Sequence, residues 1–181
     1  MEQRYDLSGS LLHWYDYNKR ILPWRENKDP YRIWISEIML QQTRVEAVKP
    51  YFDRFMEVLP TVYDLAKVDD DRLMKLWEGL GYYNRARNLK AAAQTIVEEY
   101  GGQLPADYDK LLSLKGIGMY TAGAIGSIAF ELQVPAVDGN VLRVLTRLWG
   151  DDSDILKDKT KKAMGRRVME FYAGRPTGEI F

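Results

Sequence analysis

No cysteine occurs anywhere in the 181 residues, which excludes disulfides, a thiolate-held zinc and an iron–sulfur cluster ligated by this chain. Histidine is nearly absent as well: His13 is the sole one, too few for a histidine metal site, so no metal is expected. Runs of about 18 apolar residues, enough to span a bilayer, are missing. The first ten residues are polar and charged, unlike a signal peptide. No membrane partner is therefore expected, and the chain reads as cytoplasmic. Nor is there an excess of one charge. Lys plus Arg total 26 and Asp plus Glu total 26, so net charge neither points to nucleic acid nor excludes it, and any basic surface has to be local. Chemistry must come from carboxylates, hydroxyls, amides and backbone.

Clean apolar/polar alternation is also scarce, while Gly and Pro separate segments of helical periodicity. This predicts an all-α fold. A first helix is expected over 7–20, with Leu11, Leu12, Trp14 and Tyr15 as its apolar stripe, followed by a loop carrying Trp24 and Arg25. Asp29-Pro30 opens the next helix, and another is expected over 44–58 with Pro50 as a candidate kink. Thr61 and Asp69 read as N-caps of two short helices. A long helix over 82–100 ends at Gly101-Gly102. Beyond it come a short helix to Leu114, a turn at Gly116-Ile117-Gly118, a helix to Phe130, and helices over 138–149 and 158–172. The length suits a single domain with a full core.

Within this pattern one carboxylate stands out. From Ile33 to Leu40 six of eight residues are apolar and face every direction around the helix, so the segment should be buried, with Glu37 inside it. Its neighbours one turn away are Ile33, Trp34, Leu40 and Gln41, an environment that disfavours the charged form. Glu37 is then either a neutral proton donor or the partner of a buried cation such as Arg25.

Two further segments carry chemistry. Over 111–124 the chain reads helix, hairpin, helix, and Gly116 and Gly118 would give the turn positive φ and leave the free N–H groups of the next helix facing outward. Together with Lys115 such a turn holds a phosphate; on its own a Gly-x-Gly turn is an ordinary connection. Val137-Asp138-Gly139-Asn140-Val141 places Asp138 as an N-cap, where a helix dipole favours a negative charge. One neutral acid and one charged carboxylate is the division of labour used in cleaving a glycosidic bond.

Leu22-Pro23-Trp24-Arg25, Ser36-Glu37-Ile38-Met39-Leu40-Gln41-Gln42-Thr43, Gly79-Leu80-Gly81-Tyr82-Tyr83-Asn84-Arg85-Ala86-Arg87, the hairpin and Val137-Asp138-Gly139-Asn140-Val141 together resemble the catalytic domain of the MutY family of adenine DNA glycosylases, within the helix-hairpin-helix glycosylase superfamily. The resemblance implies one catalytic domain over 1–181, made of two helical lobes with a DNA-binding cleft between them. One lobe is a six-helix barrel over about 30–130 and the other comprises about 1–22 plus 131–181. It further implies excision of adenine mispaired with 8-oxoguanine or guanine in double-stranded DNA, after the nucleotide is flipped out. Glu37 would protonate adenine at N7, and Asp138 would stabilise or capture the sugar cation. Tyr120 and Asn140 would support this centre, Trp24, Arg25 and Leu40 would line the adenine pocket, and Gln42 and Tyr82 would contact or wedge into the stack. Lys115, Gly116, Gly118, Arg85, Arg87 and Arg143 would contact phosphates.

Tyr120 stands where related bifunctional enzymes carry a Schiff-base lysine, which implies a monofunctional glycosylase; the resemblance also implies a monomer of bacterial, nucleoid-associated type. Family members usually continue into a four-cysteine loop holding a four-iron four-sulfur cluster and a further domain. Neither is in these 181 residues, so a fragment or a short form is expected. A thymine or oxidised-pyrimidine glycosylase on the same fold, or a DNA-binding module without catalysis, are the competing readings.

Overall fold

The computed structural model describes residues 7–172, with side chains over 9–170. The expected second lobe extends into 1–6 and 173–181, which lie outside the described residues. Among those described there are ten α-helices and no strand: α1 (Leu7–Asn18), α2 (Pro30–Leu40), α3 (Val45–Val58), α4 (Val62–Lys67), α5 (Asp70–Trp77), α6 (Asn84–Tyr100), α7 (Tyr108–Ser113), α8 (Met119–Phe130), α9 (Gly139–Trp149) and α10 (Asp158–Tyr172), with a 3₁₀ turn at Pro23–Arg25. None of these helices is long and apolar enough to cross a membrane.

Side-chain caps set the helix starts. Asp29 accepts from the Tyr31 and Arg32 amides at 2.8 and 3.4 Å, with Pro30 in the first turn, where its missing N–H costs nothing. Thr61 and Asp64 form a reciprocal capping box, and Asp69 accepts from the Asp71 and Arg72 amides. Each such cap is worth about 1 kcal/mol. Helix α3 runs through Pro50 without interruption.

Helix α2 is buried nearly all round: Tyr31, Ile33, Trp34, Ile35, Ser36, Ile38 and Met39 are inaccessible or nearly so. It packs most heavily on α8 and then on α3, in a core that includes Trp34, Phe52, Phe55, Leu65 and Trp77. Leu142, Met164 and Val168, from α9 and α10, are buried outside that core cluster.

Helix α8 is built for close approach. Its buried residues are Thr121, Ala122, Gly123, Ala124, Ile125, Gly126 and Ser127, and the segment 131–138 lies across them. A Cβ on Gly123 would sit 2.1 Å from the Pro135 carbonyl oxygen, and one on Gly126 would sit 3.0 Å from Val134 Cγ2. The segment leaves α8 through Glu131 at φ 55°, whose carboxylate is held by Lys28 Nζ at 2.5 Å. It ends at Asp138, so small residues on α8 set where that carboxylate stands.

Three expectations are corrected. The stripe on α1 is not buried as a unit, since Leu11 and Trp14 are exposed; the Tyr15 side is engaged by Arg25, whose Nη1 donates to the phenol oxygen at 2.9 Å. Helix α6 begins at Asn84 rather than 82, because Tyr82 sits at φ 48° and leaves the chain in a left-handed turn. Gly118 does not take positive φ. It is the extended N-cap of α8, at φ −92° and ψ 177°, while Gly116 at φ 82° makes the turn and lies so close to α6 that a Cβ there would be 2.7 Å from Asn88 Cβ.

Candidate active site

Glu37 comes from the C-terminal half of α2, Tyr120 from the first turn of α8, and Asp138 from the N-cap of α9. Packing of α2 on α8 brings the Tyr120 hydroxyl within reach of the Glu37 carboxyl as a hydrogen-bond donor, and Asp138 and Arg25 are close enough for their charges to act on Glu37. Burial pushes the Glu37 carboxyl above the usual carboxylate range, and the Asp138 charge adds to this. The Tyr120 hydrogen bond and the Arg25 charge oppose the shift without cancelling it. Burial and the neighbouring carboxyl likewise hold Tyr120 in its protonated form, as a hydrogen-bond donor. Both sequence alternatives for Glu37 thus meet in one place: Arg25 is near, yet burial still holds the carboxyl above its usual range.

Asp138 has two jobs. Its Oδ1 accepts from the Val141 amide at 2.8 Å as N-cap of α9, and its Oδ2 accepts from Asn140 Nδ2 at 3.0 Å. Asn140 in turn accepts from Arg143 Nη2 at 3.3 Å through Oδ1. A Cβ on Gly139 would meet nothing within 4 Å outside its chain neighbours.

Tyr120 and Asp138 line a pocket of about 770 Å³ whose other walls include Gln41, Tyr108, Met119, Leu142 and Met169, a size that suits a drug- or nucleotide-sized ligand. Lys161, Lys162 and Arg166 of α10 line it as well. No motif in the sequence marks these three cations. Their signal was a run of basic residues on one helix, which by itself reads as a solvated face.

The other candidates lie around this centre. Trp24 is only 3% exposed and packs edge-on against Phe52, with centroids 5.3 Å apart; together with Arg25 it lines a different pocket of about 470 Å³. Leu40 packs on the main core. Gln42, Tyr82 and Arg87 line a third pocket of about 380 Å³. Arg87 donates to Asn84 at 3.1 Å. Both Gln42 and Tyr82 are non-glycine residues at positive φ, 60° and 48°. Lys115 is exposed on the hairpin. Gln41, which was not singled out, touches both the Asp138 pocket and the Tyr82 pocket.

Arg85 departs from the expected phosphate contact. Its Nη1 donates to the carbonyls of Ile38, Met39 and Gln41 at 2.7, 3.3 and 2.7 Å, and its Nη2 to those of Leu80 and Gly81 at 2.9 and 3.3 Å. Those hydrogens are committed to backbone, and the remaining N–H, at Nε, is buried, so the guanidinium is turned to the fold's own carbonyls.

Residues 35–170 match the family described as HhH-GPD superfamily base excision DNA repair protein. Adenine DNA glycosylase of Rattus norvegicus is 47% identical over 148 residues, covering 77% of this chain and 29% of that protein. That of Buchnera aphidicola subsp. Acyrthosiphon pisum is 45% identical over 157 residues, covering 86% and 45%. The chain therefore spans less than half the length of these relatives. Among solved structures, a thermostable thymine-DNA glycosylase superimposes with a TM-score of 0.84 at 30% identity, covering 95% of this chain and 78% of that one. Endonuclease III in a non-covalent DNA complex gives 0.76 at 25% identity, covering 99% and 81%. With its hairpin, its helical order and a family match that spans Glu37, Tyr120 and Asp138, the chain belongs to the HhH-GPD superfamily of base excision DNA repair proteins.

Proposed function

We propose that this chain is the catalytic portion of an adenine DNA glycosylase that hydrolyses the N-glycosidic bond of adenine mispaired with 8-oxoguanine or guanine in double-stranded DNA. The observation that carries this reading is the convergence of Glu37, Tyr120 and Asp138, with burial raising the Glu37 carboxyl above its usual range. A neutral acid suits a purine leaving group. Glu37 gives its proton to adenine N7, the bond to the sugar lengthens, and the base departs neutral. Asp138 supplies the negative charge opposite the sugar cation, and water completes the hydrolysis. Tyr120 orients the Glu37 carboxyl and, having no amine, cannot form a Schiff base, so base removal is not coupled to strand cleavage.

Binding follows the same geometry. The pocket beside Tyr120 and Asp138 takes the flipped nucleotide, while Lys161, Lys162 and Arg166 on its wall balance phosphate charge. The amides at the start of α8 and Lys115 hold a backbone phosphate. The large core over α2–α8 and the smaller buried group of α9 and α10 support a two-lobed division near residue 130.

The similarity to a thymine-DNA glycosylase supports a second reading, a mismatch-thymine glycosylase. Duplexes carrying adenine opposite 8-oxoguanine, adenine opposite guanine, thymine opposite guanine, or thymine glycol, followed by hot alkali to cut abasic sites, separate the two. Alkali-dependent cuts at adenine are expected. Cuts confined to the pyrimidine substrates would replace this proposal with the second.

A further inference from the structure

Two turns present the residues that stand most clearly outside the folded core on this face. One follows α2 and carries Gln42; the other precedes α6 and carries Tyr82, which is 68% exposed. Each bends through a non-glycine residue at positive φ, a conformation that persists only where the surroundings hold it. Neither turn has a regular helix cap of its own. The C-cap of α2, Gln41, has φ −59° and ψ 111°, so the last carbonyls of α2 need an outside donor.

Arg85 is that donor. One guanidinium bridges the carbonyls of Ile38, Met39 and Gln41 on one side to those of Leu80 and Gly81 on the other. It also lies 5.7 Å from the centroid of the Tyr82 ring and 5.5 Å from that of Trp77, and Trp77 Nε1 donates to the Gly81 carbonyl at 3.1 Å. The arrangement joins a turn at 38–42 to a turn at 80–82, although nearly forty residues separate them in sequence. It places the fixed cation at the negative end of the helix that bears Glu37. The buried Nε of Arg85 has no partner among the described groups, so the side chain is held by its bridging ends in spite of that cost.

We infer that Arg85 is a positioning residue that locks the Gln42 and Tyr82 turns into one rigid unit and sets its distance from the Glu37 helix. The inference rests on the proposed glycosylase reading for its consequence in catalysis, but not for its consequence in rigidity. Lysine cannot replace the fork, because a single ammonium with three donors does not span two rows of carbonyls.

The test uses Arg85→Lys and Arg85→Met in the full chain, with two arms. In the first, hydrogen exchange is followed by peptide: exchange is expected to speed about tenfold or more in peptides covering 38–44 and 79–84, with α3, α4 and α8 unchanged. In the second, binding to undamaged duplex is expected to stay within about twofold of wild type with the same salt slope, while single-turnover adenine excision slows by about ten- to a hundredfold. A 2-aminopurine placed opposite the target adenine is expected to lose its fluorescence response. The inference is overturned by unchanged exchange in both turns, by a salt slope reduced by about one, which marks a phosphate contact, or by unfolding of both variants throughout. If wild type excises no base, the functional proposal fails while the exchange arm still decides the role of Arg85.

Discussion

The Tyr120 hydroxyl reaches the Glu37 carboxyl as a hydrogen-bond donor where α8 packs on α2. It draws the acid back toward its charged form while burial drives it the other way. Removing that bond moves Glu37 further in the direction burial already takes it. Tyr120→Phe is therefore expected to shift the alkaline limb of the pH–rate profile to higher pH and to slow excision by roughly tenfold. A profile unshifted, or shifted to lower pH, contradicts this reading of the pair.

The same acid makes stability depend on pH. Its folded-state pKa is raised, so the native chain holds this proton more tightly than the unfolded chain does. The contribution of Glu37 to stability accordingly declines as pH rises from the unfolded value through the folded one. Glu37→Gln removes the burial of a charge and is expected to be more stable than wild type above that range, by about 1 kcal/mol, with the gain shrinking toward acid. Urea denaturation at pH 5 and pH 8 measures it. An equal difference at both pH values would mean that Glu37 does not titrate between them.

Asp138 caps α9 and also faces the pocket, and one substitution separates the roles. Asparagine is as good an N-cap as aspartate, whereas alanine forfeits about 1 kcal/mol. Asp138→Asn is expected to keep wild-type stability and to lose about a hundred- to a thousandfold in excision. Calorimetry and single-turnover rates check both halves; a stable variant with undiminished rate would leave Asp138 with the cap alone.

Gly123→Ala tests the close approach that places Asp138. The added Cβ would meet the Pro135 oxygen at 2.1 Å, so the segment 131–138 has to move. A loss of about 1–3 kcal/mol is expected from overpacking, with slower excision from the fraction that remains folded. Full activity at full stability would show that the segment adapts without moving Asp138.

Much of the fold was legible because local chemistry announced it. Asp29, Thr61, Asp69 and Asp138 occupy cap positions that capping chemistry predicts, and the apolar run around Glu37 is buried nearly all round. The nearness of Glu37 to Asp138 was not a matter of local pattern, and it entered through resemblance to a family. Arg85 shows what a linear reading misses. Its position between Asn84 and Arg87 looks like a basic patch, yet its partners include carbonyls more than forty residues earlier, whose need for a donor becomes visible only once α2 ends beside α6. Gly118 misled for a related reason: two glycines two residues apart invite two positive-φ turns, but the helix start at Met119 requires an extended residue before it. Lys161, Lys162 and Arg166 gained meaning only from the pocket they border.

The central claim is that Glu37 is the proton donor to a flipped adenine. Single-turnover excision from a duplex carrying adenine opposite 8-oxoguanine, with wild type and Glu37→Gln compared across pH, tests it most directly. Wild type is expected to lose rate as pH rises through the raised Glu37 pKa. The variant is expected to be slower by about a hundred- to ten-thousandfold, with that limb of the profile gone. A Glu37→Gln rate equal to wild type, with the limb intact, would contradict the account.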